Sequence, residues 1–237
     1  MKLSAPIYRL KRTAKSLSRE EGIPLHEALD RVAASEGFSA WSLLVAKAAA
    51  ATPANKLLAR FRPGDLVLVG ARPGHGKTLL SLELAVEAMK SGSRGAFFSL
   101  EYTERDVLGC FRAIGVEPAQ FDRLFELDCS DAISADYIVK RMAAAPRGTL
   151  VVIDYLQLLD QKREHPELTI QVRTLRSFAR DKGLIIIFIS QIDRSYDLST
   201  RPCPDLRDVR LPNPLDLKLF DTTCFLNNGE VRFRAAS

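Results

Sequence analysis

A doubly wound, mainly parallel α/β sheet is the fold this sequence predicts, and three observations predict it. Four short runs, LVLVG at 66–70, GAFFSL at 95–100, LVVID at 150–154 and LIIIFIS at 184–190, are apolar without alternation. Strands covered by helices on both faces read this way, because neither face meets water. Helical patterns at about 78–90, 103–114, 134–144 and 168–182 separate the runs, so crossover helices between parallel strands follow. The tail differs: TTCFL, then Asn227-Asn228-Gly229, then EVRFR spell a C-terminal hairpin whose turn tolerates positive φ.

The first fifty residues predict a small α-helical N-terminal domain. Ile7, Leu10, Ala14 and Leu17 recur at helical spacing, with Arg9, Lys11, Arg12, Lys15 and Arg19 on the other faces, up to Gly22. Pro24 opens a second helix with Leu25, Ala28, Leu29 and Val32 on one stripe and Gly37 as its stop. A third begins at Ser39-Ala40-Trp41, with Phe38 and Trp41 expected in the bundle core. The alanine-rich stretch from Ala48 to Ala54 marks a boundary, which divides the chain into residues 1–55 and 56–237.

The chain has 237 residues, 46% hydrophobic and 27% charged, enough to bury a core without staples and unlike collagen, coiled coil or a disordered polymer. Cys110, Cys129, Cys203 and Cys224 are irregularly spaced with no CxxC, which argues against a zinc site or a disulfide framework. No secretory signal pattern or membrane-length apolar run is present, so a cytoplasmic protein with no membrane partner is expected. The net charge of +5 is unevenly placed. Residues 1–60 hold ten Lys or Arg against five Asp or Glu, whereas residues 61–237 hold 24 of each.

The strongest local signal is LVLVGARPGHGKTLLSLELA at 66–85: a buried strand, a loop with Gly74 and Gly76, and a helix opened by Lys77-Thr78. Glycines let backbone N–H groups curl round phosphates, and the helix N-terminus adds a favourable dipole. Residues Ala71, Arg72, Pro73, Gly74, His75, Gly76, Lys77, Thr78 and Leu79 are therefore the expected nucleotide cradle. Lys77 would reach the β- and γ-phosphates, and the Thr78 hydroxyl would coordinate Mg²⁺. The usual pattern has Gly where this chain has Ala71, and His75 reads as a spacer or a lid.

Three polar residues close the other apolar runs. Asp154 ends LVVID, where a Mg²⁺ shell needs a carboxylate. Glu101 ends AFFSLE, placed to orient water as a base. Gln191 ends LIIIFISQ, where its amide would sense the γ-phosphate.

GARPGHGKT, FFSLE, VVIDYLQLL and ISQIDRS, in this order and at these separations, resemble the ATPase domain of DnaB-like replicative helicases, a branch of the RecA-like ATPases. The resemblance covers roughly residues 57–226, and PDLRDVR at 204–210 echoes the loop after the last core strand. It implies a RecA-like fold and hydrolysis of ATP with Mg²⁺. By the same resemblance Lys77 and Thr78 bind nucleotide and metal, Glu101 is the catalytic base and Asp154 the Walker B carboxylate. Gln191 then links nucleotide state to DNA loops, single-stranded DNA is the partner, and the oligomer is a homohexamer.

The departures are specific. About 55 basic helical residues stand where the family carries a larger primase-binding domain. LPNPLDLKLF replaces an acidic stretch after the PDLR-like segment, and only Arg232 and Arg234 could serve as the family's Lys-x-Arg arginine finger, an exposed edge-strand pair being the favoured reading of them. The loop at 192–218 is charge-neutral, with five basic and five acidic residues. Arg173, Arg176 and Arg180 read as a solvated helix face. The N-terminal helices suit a phosphate backbone or an acidic partner protein. A minimal helicase or translocase, or an accessory replication ATPase, is the first expectation. A RecA-like regulator that uses ATP only as a binding switch is the alternative. A P-loop phosphotransferase is a third option, opposed by the DYLQLL and SQIDRS segments.

Overall fold

The computed structural model describes residues 4–5, 7–44, 53–160, 166–198, 201, 203–211, 213–227 and 230–235. Its centre is a seven-stranded sheet: β1 Leu66–Ala71, β2 Gly95–Ser99, β3 Phe125–Asp128, β4 Leu150–Asp154, β5 Ile185–Gln191, β6 Thr222–Asn227 and β7 Glu230–Ala235. The spatial order is β3-β2-β4-β5-β1-β6-β7. Every pairing is parallel except β6 with β7, the expected hairpin. Asn228 and Gly229 of its turn lie outside the described residues.

The four apolar runs became the central strands, and all their side chains from β1, β2 and β4 are buried. Leu66, Leu68, Phe98, Val151, Ile153 and Phe188 face one layer, packed on α6 (Ala135–Arg141) and α7 (Leu168–Lys182). Val67, Val69, Phe97, Val152 and Ile187 face the other, against α3 (Pro53–Leu58), α4 (Lys77–Lys90) and α5 (Glu104–Ile114). A strand between two helical layers needs both faces apolar, which is why these runs show no alternation. Strand β3 is not legible in the sequence. It has four residues, FELD, and lies at the sheet edge with three of them half-buried, so it carries neither a run nor a clean alternation.

Helices α1 (Ile7–Glu21) and α2 (Leu25–Ser35) form as expected, with residues 41–44 helical and residues 45–50 outside the description. Leu10, Ala14, Ala28, Val32, Ala33 and Leu44 form a separate apolar cluster. Gly37, at φ 82°, ends α2: its N–H bonds the Ala34 carbonyl and the Phe38 N–H bonds that of Ala33. Two expectations need correction. Phe38 and Trp41 are half-buried and rim the cluster, because the reversal at Gly37 leaves both at its margin. Leu25 is 39% exposed, since it opens α2 before the helix reaches α1.

Candidate functional site

Strands β2, β4, β5 and β1 lie side by side and end on one edge of the sheet. Ser99 is in register with Asp154, Asp154 with Ile189, and Ala71 with Gln191. Strand β5 intervenes between β1, which feeds the glycine loop, and β4, which carries Asp154. Adjacent strands lie about 4.8 Å apart, so Asp154 stands about two strand spacings from the loop's own strand. The start of α4 closes that gap.

The loop leaves β1 at Ala71 and turns at Pro73-Gly74, with the His75 N–H bonded to the Arg72 carbonyl at 3.2 Å. Gly74 and Gly76 have φ of 79° and 84°, where an L side chain is strained. Gly76 caps α4 in that left-handed conformation, and Lys77 and Thr78 occupy its first turn. The helix N–H groups therefore face the space in front of the loop, the arrangement that cradles phosphates. Ala71 is buried in the sheet, while Gly70 beside it has no room for a side chain unless its neighbours shift: a Cβ there would lie 2.8 Å from Phe225 ring carbons on β6.

Thr78 is buried and its hydroxyl donates to Asp154 Oδ2 at 3.0 Å. Asp154 Oδ1 is buried and has no hydrogen-bond partner. Burial pushes the Asp154 carboxyl up to about 6; the Thr78 hydrogen bond and the Lys77 charge oppose the shift, and the Glu101 charge adds to it. An orphaned carboxylate oxygen beside a hydroxyl, next to a lysine, is the donor set a hard divalent cation and its waters would satisfy. Among the described residues no cluster of three His, Cys, Asp or Glu forms a metal cage. A Mg²⁺ completed by phosphates and water needs only these few protein oxygens.

Glu101 lies two residues beyond β2, which stops at Ser99 rather than running to the glutamate. The buried Ser99 hydroxyl accepts the N–H groups of Glu101 and Tyr102 at 3.1 and 3.2 Å, turning the chain so that Glu101 is exposed on the strand-end edge. Gln191 is the last residue of β5, and its Oε1 accepts from Arg210 Nη1 at 3.4 Å. Sequence reasoning missed two residues of this neighbourhood. Burial pushes up the Tyr102 phenol, with its hydrogen bond to Thr78 opposing the shift. The buried Gln157 amide donates to Ser190 Oγ at 3.4 Å and to the Arg210 carbonyl. The Arg210 N–H in turn bonds the Gln191 carbonyl at 2.8 Å. Tyr102 was findable as the residue after Glu101; Gln157 stood inside DYLQL, but its partner lies 53 residues away.

The other residues that the sequence singles out lie elsewhere. Arg232 and Arg234 are exposed on edge strand β7, separated from β1 by β6 and thus apart from their own loop. Arg176 and Arg180 both hold Asp221, at 3.1 and 3.2 Å, at the opposite sheet edge, where Asp221 also accepts the Leu66 N–H. Arg176 is thereby a half-buried clamp, whereas Arg180, like Arg173, stays exposed as the solvated-face reading expects.

The sequence profile of the DnaB-like helicase C terminal domain matches residues 51–117 and 125–216. A probable plasmid replicative DNA helicase of Chlamydia trachomatis is 26% identical over 198 residues, 70% of this chain and 44% of that protein. The replicative DNA helicase DnaB of Helicobacter pylori is 25% identical over 202 residues, 72% of this chain and 41% of that one. The chain thus spans less than half the length of these relatives. Among solved structures, a DnaB-like replicative helicase studied with primase superposes with a TM-score of 0.60 at 19% identity, over 98% of this chain and 72% of that one. A separately solved ATPase domain also gives 0.60, at 17% identity, over 81% and 91%. These superpositions share the RecA-like fold described above, and the profile match spans more than half of the sequence. The chain belongs to the DnaB-like helicase C-terminal domain family.

Proposed function

We propose that this protein is a Mg²⁺-dependent ATPase acting on single-stranded DNA, as a minimal helicase or translocase or as an accessory replication ATPase. The observation that carries the reading is the Thr78–Asp154 pair with its orphaned Oδ1, held in front of a glycine loop and a helix N-terminus. Residues 71–79 would wrap the phosphates and Lys77 would neutralise the β- and γ-oxygens. Thr78 and Asp154 would hold Mg²⁺ and its waters; the bound ion would offset charge developing on the phosphates. Glu101 would take a proton from the attacking water as its oxygen bonds the γ-phosphorus and the bond to the ADP oxygen breaks. Gln191 would sense the γ-phosphate and pass its presence to the 203–211 loop through Arg210.

The division at residue 55 is part of this reading, supported by the separate apolar cluster of the N-terminal helices. So is assembly into a homo-oligomer in which Arg232 and Arg234, exposed on the edge strand, reach a neighbour's nucleotide. A cytoplasmic location is proposed with it; among the described residues no helix is long and apolar enough to cross a membrane. The test is steady-state ATP hydrolysis over a range of protein concentrations, with and without single-stranded DNA. Turnover that rises with DNA and more than linearly with protein supports a shared-site motor. Turnover indifferent to DNA and linear in protein refutes it and leaves an ATPase working alone. Binding of ATP without turnover under any condition favours the nucleotide-switched binding module instead.

A further inference from the structure

We infer that the outer face of helix α1 is a nucleic-acid phosphate-binding surface, separate from the nucleotide site. Leu10 and Ala14 are buried, and Leu17 packs against the same cluster, which fixes the inward side of the helix. At 100° per residue the opposite side carries Arg12, Lys15 and Arg19, with Arg9 and Lys11 on its two flanks, and all five are exposed. From Arg9 to Arg19 the helix rises about 15 Å. A duplex strand offers a phosphate every ~3.4 Å, so this length meets about four of them.

Of the two acidic residues of α1, only Glu21 is neutralised by a partner off the helix. Glu20 accepts from the Ser16 hydroxyl at 3.2 Å, and Glu21 pairs with Arg31, which also holds Glu27. None of the five cations has an ion-pair partner among the described residues. The loop beside the nucleotide site is partly neutralised by its own carboxylates. Arg201 is held by Asp205 and Asp208, Arg207 by Asp205, and Arg210 by Gln191. That leaves Arg194, Arg210 and Lys218 without a carboxylate partner among that loop's described residues. The chain beyond residue 60 is neutral as a whole, so the net positive charge lies in the first sixty residues, where α1 carries five of the ten cations.

Such a face is the charge complement of a regularly spaced polyanion. An acidic protein would need complementary carboxylates placed to match, whereas a phosphate backbone presents its charges at fixed short intervals. The inference deepens the DNA-acting reading, but its test needs no ATP, so the two can fail separately.

Binding of a labelled thirty-nucleotide oligothymidylate and of a thirty-base-pair duplex is measured by anisotropy between 50 and 200 mM salt, without nucleotide. The full chain is compared with its Arg9→Gln/Arg12→Gln/Lys15→Gln/Arg19→Gln variant, folding being checked by circular dichroism. The slope of log affinity against log salt should fall by up to about 3 for the single strand, and affinity at 50 mM by more than about tenfold. An Arg9→Lys/Arg12→Lys/Arg19→Lys variant should keep both slope and affinity, because charge alone carries the contact. The duplex arm shows which form of the backbone is preferred. Unchanged slope and affinity in the Gln variant overturn the inference, as does a wild-type chain that binds neither probe. A protein caught in place of nucleic acid by this same face would also count against it.

Discussion

The Thr78 hydroxyl donates to Asp154 Oδ2 at 3.0 Å, although the two residues belong to different strand–loop units with β5 running between them. This bond ties the first turn of α4 to the end of β4. It also fixes which carboxylate oxygen is spent and which, Oδ1, remains for a ligand. Burial makes the ionised form costly, as the upward push to about 6 records.

A carboxyl raised from 3.8 to about 6 on folding holds its proton longer in the native state than in the unfolded chain. Between those values the native protein binds more protons, so its stability falls as pH rises through the window. Asp154→Asn should therefore stabilise the nucleotide-free protein by roughly 2 kcal/mol at pH 7.5, with little effect near pH 4. Turnover should drop at least about a hundredfold at the same time. Urea denaturation at the two pH values, beside an ATPase assay, checks both halves.

Glu83 on α4 gives a parallel case outside the site. Burial pushes it up to about 7, with the Glu87 charge adding and Lys90 opposing. Glu83→Gln should gain about 1–3 kcal/mol at pH 8, and the gain should shrink as pH falls through the window and vanish below about pH 4. Denaturation midpoints at the two pH values decide it.

At Gly70 the constraint is space. A methyl group would meet Phe225 at 2.8 Å and Ile192 at 3.2 Å, both from side chains packed beneath the end of β1. Gly70→Ala should cost about 1–3 kcal/mol and raise the nucleotide concentration needed for half-maximal binding, since the glycine loop leaves the sheet one residue later. Thermal unfolding and a fluorescent-nucleotide titration read the two effects.

The Gln157 amide ties β4's following turn to Ser190 and to the Arg210 carbonyl. Gln157→Leu keeps the bulk and leaves those buried groups unpaired, at a cost of about 1–3 kcal/mol. Hydrogen exchange should quicken in residues 203–211 more than in the central strands. Uniform protection would show that the link does not hold the loop.

How much of this was legible follows from how local each feature is. The glycine loop, Lys77 and Thr78 were readable because phosphate cradling demands those residue types at fixed offsets along one stretch of chain. Asp154 and Gln191 were readable because a strand buried on both faces announces its polar last residue. Glu101 was readable as chemistry but not as geometry: the strand stops at Ser99, whose side-chain turn no pattern signals. The pairing of Arg176 and Arg180 with Asp221, and of Gln157 with Arg210, joins residues more than forty positions apart. Only the fold brings them together, so one arginine of a helix face that looked solvated, Arg176, became a half-buried clamp. Phe38 and Trp41 misled for the opposite reason, since large apolar side chains beside a turn often rim a small bundle rather than fill it.

In the proposed reaction Lys77, Thr78 and Asp154 hold a magnesium nucleotide which Glu101 helps to hydrolyse. The most direct test measures Mg²⁺-dependent ATP binding and single-turnover hydrolysis together, for the wild-type chain, Lys77→Ala and Glu101→Gln. Lys77→Ala should lose binding, while Glu101→Gln should bind ATP normally and hydrolyse it at least about a hundredfold more slowly. Undiminished turnover in Glu101→Gln, or equal ATP binding by Lys77→Ala and wild type, would contradict this assignment.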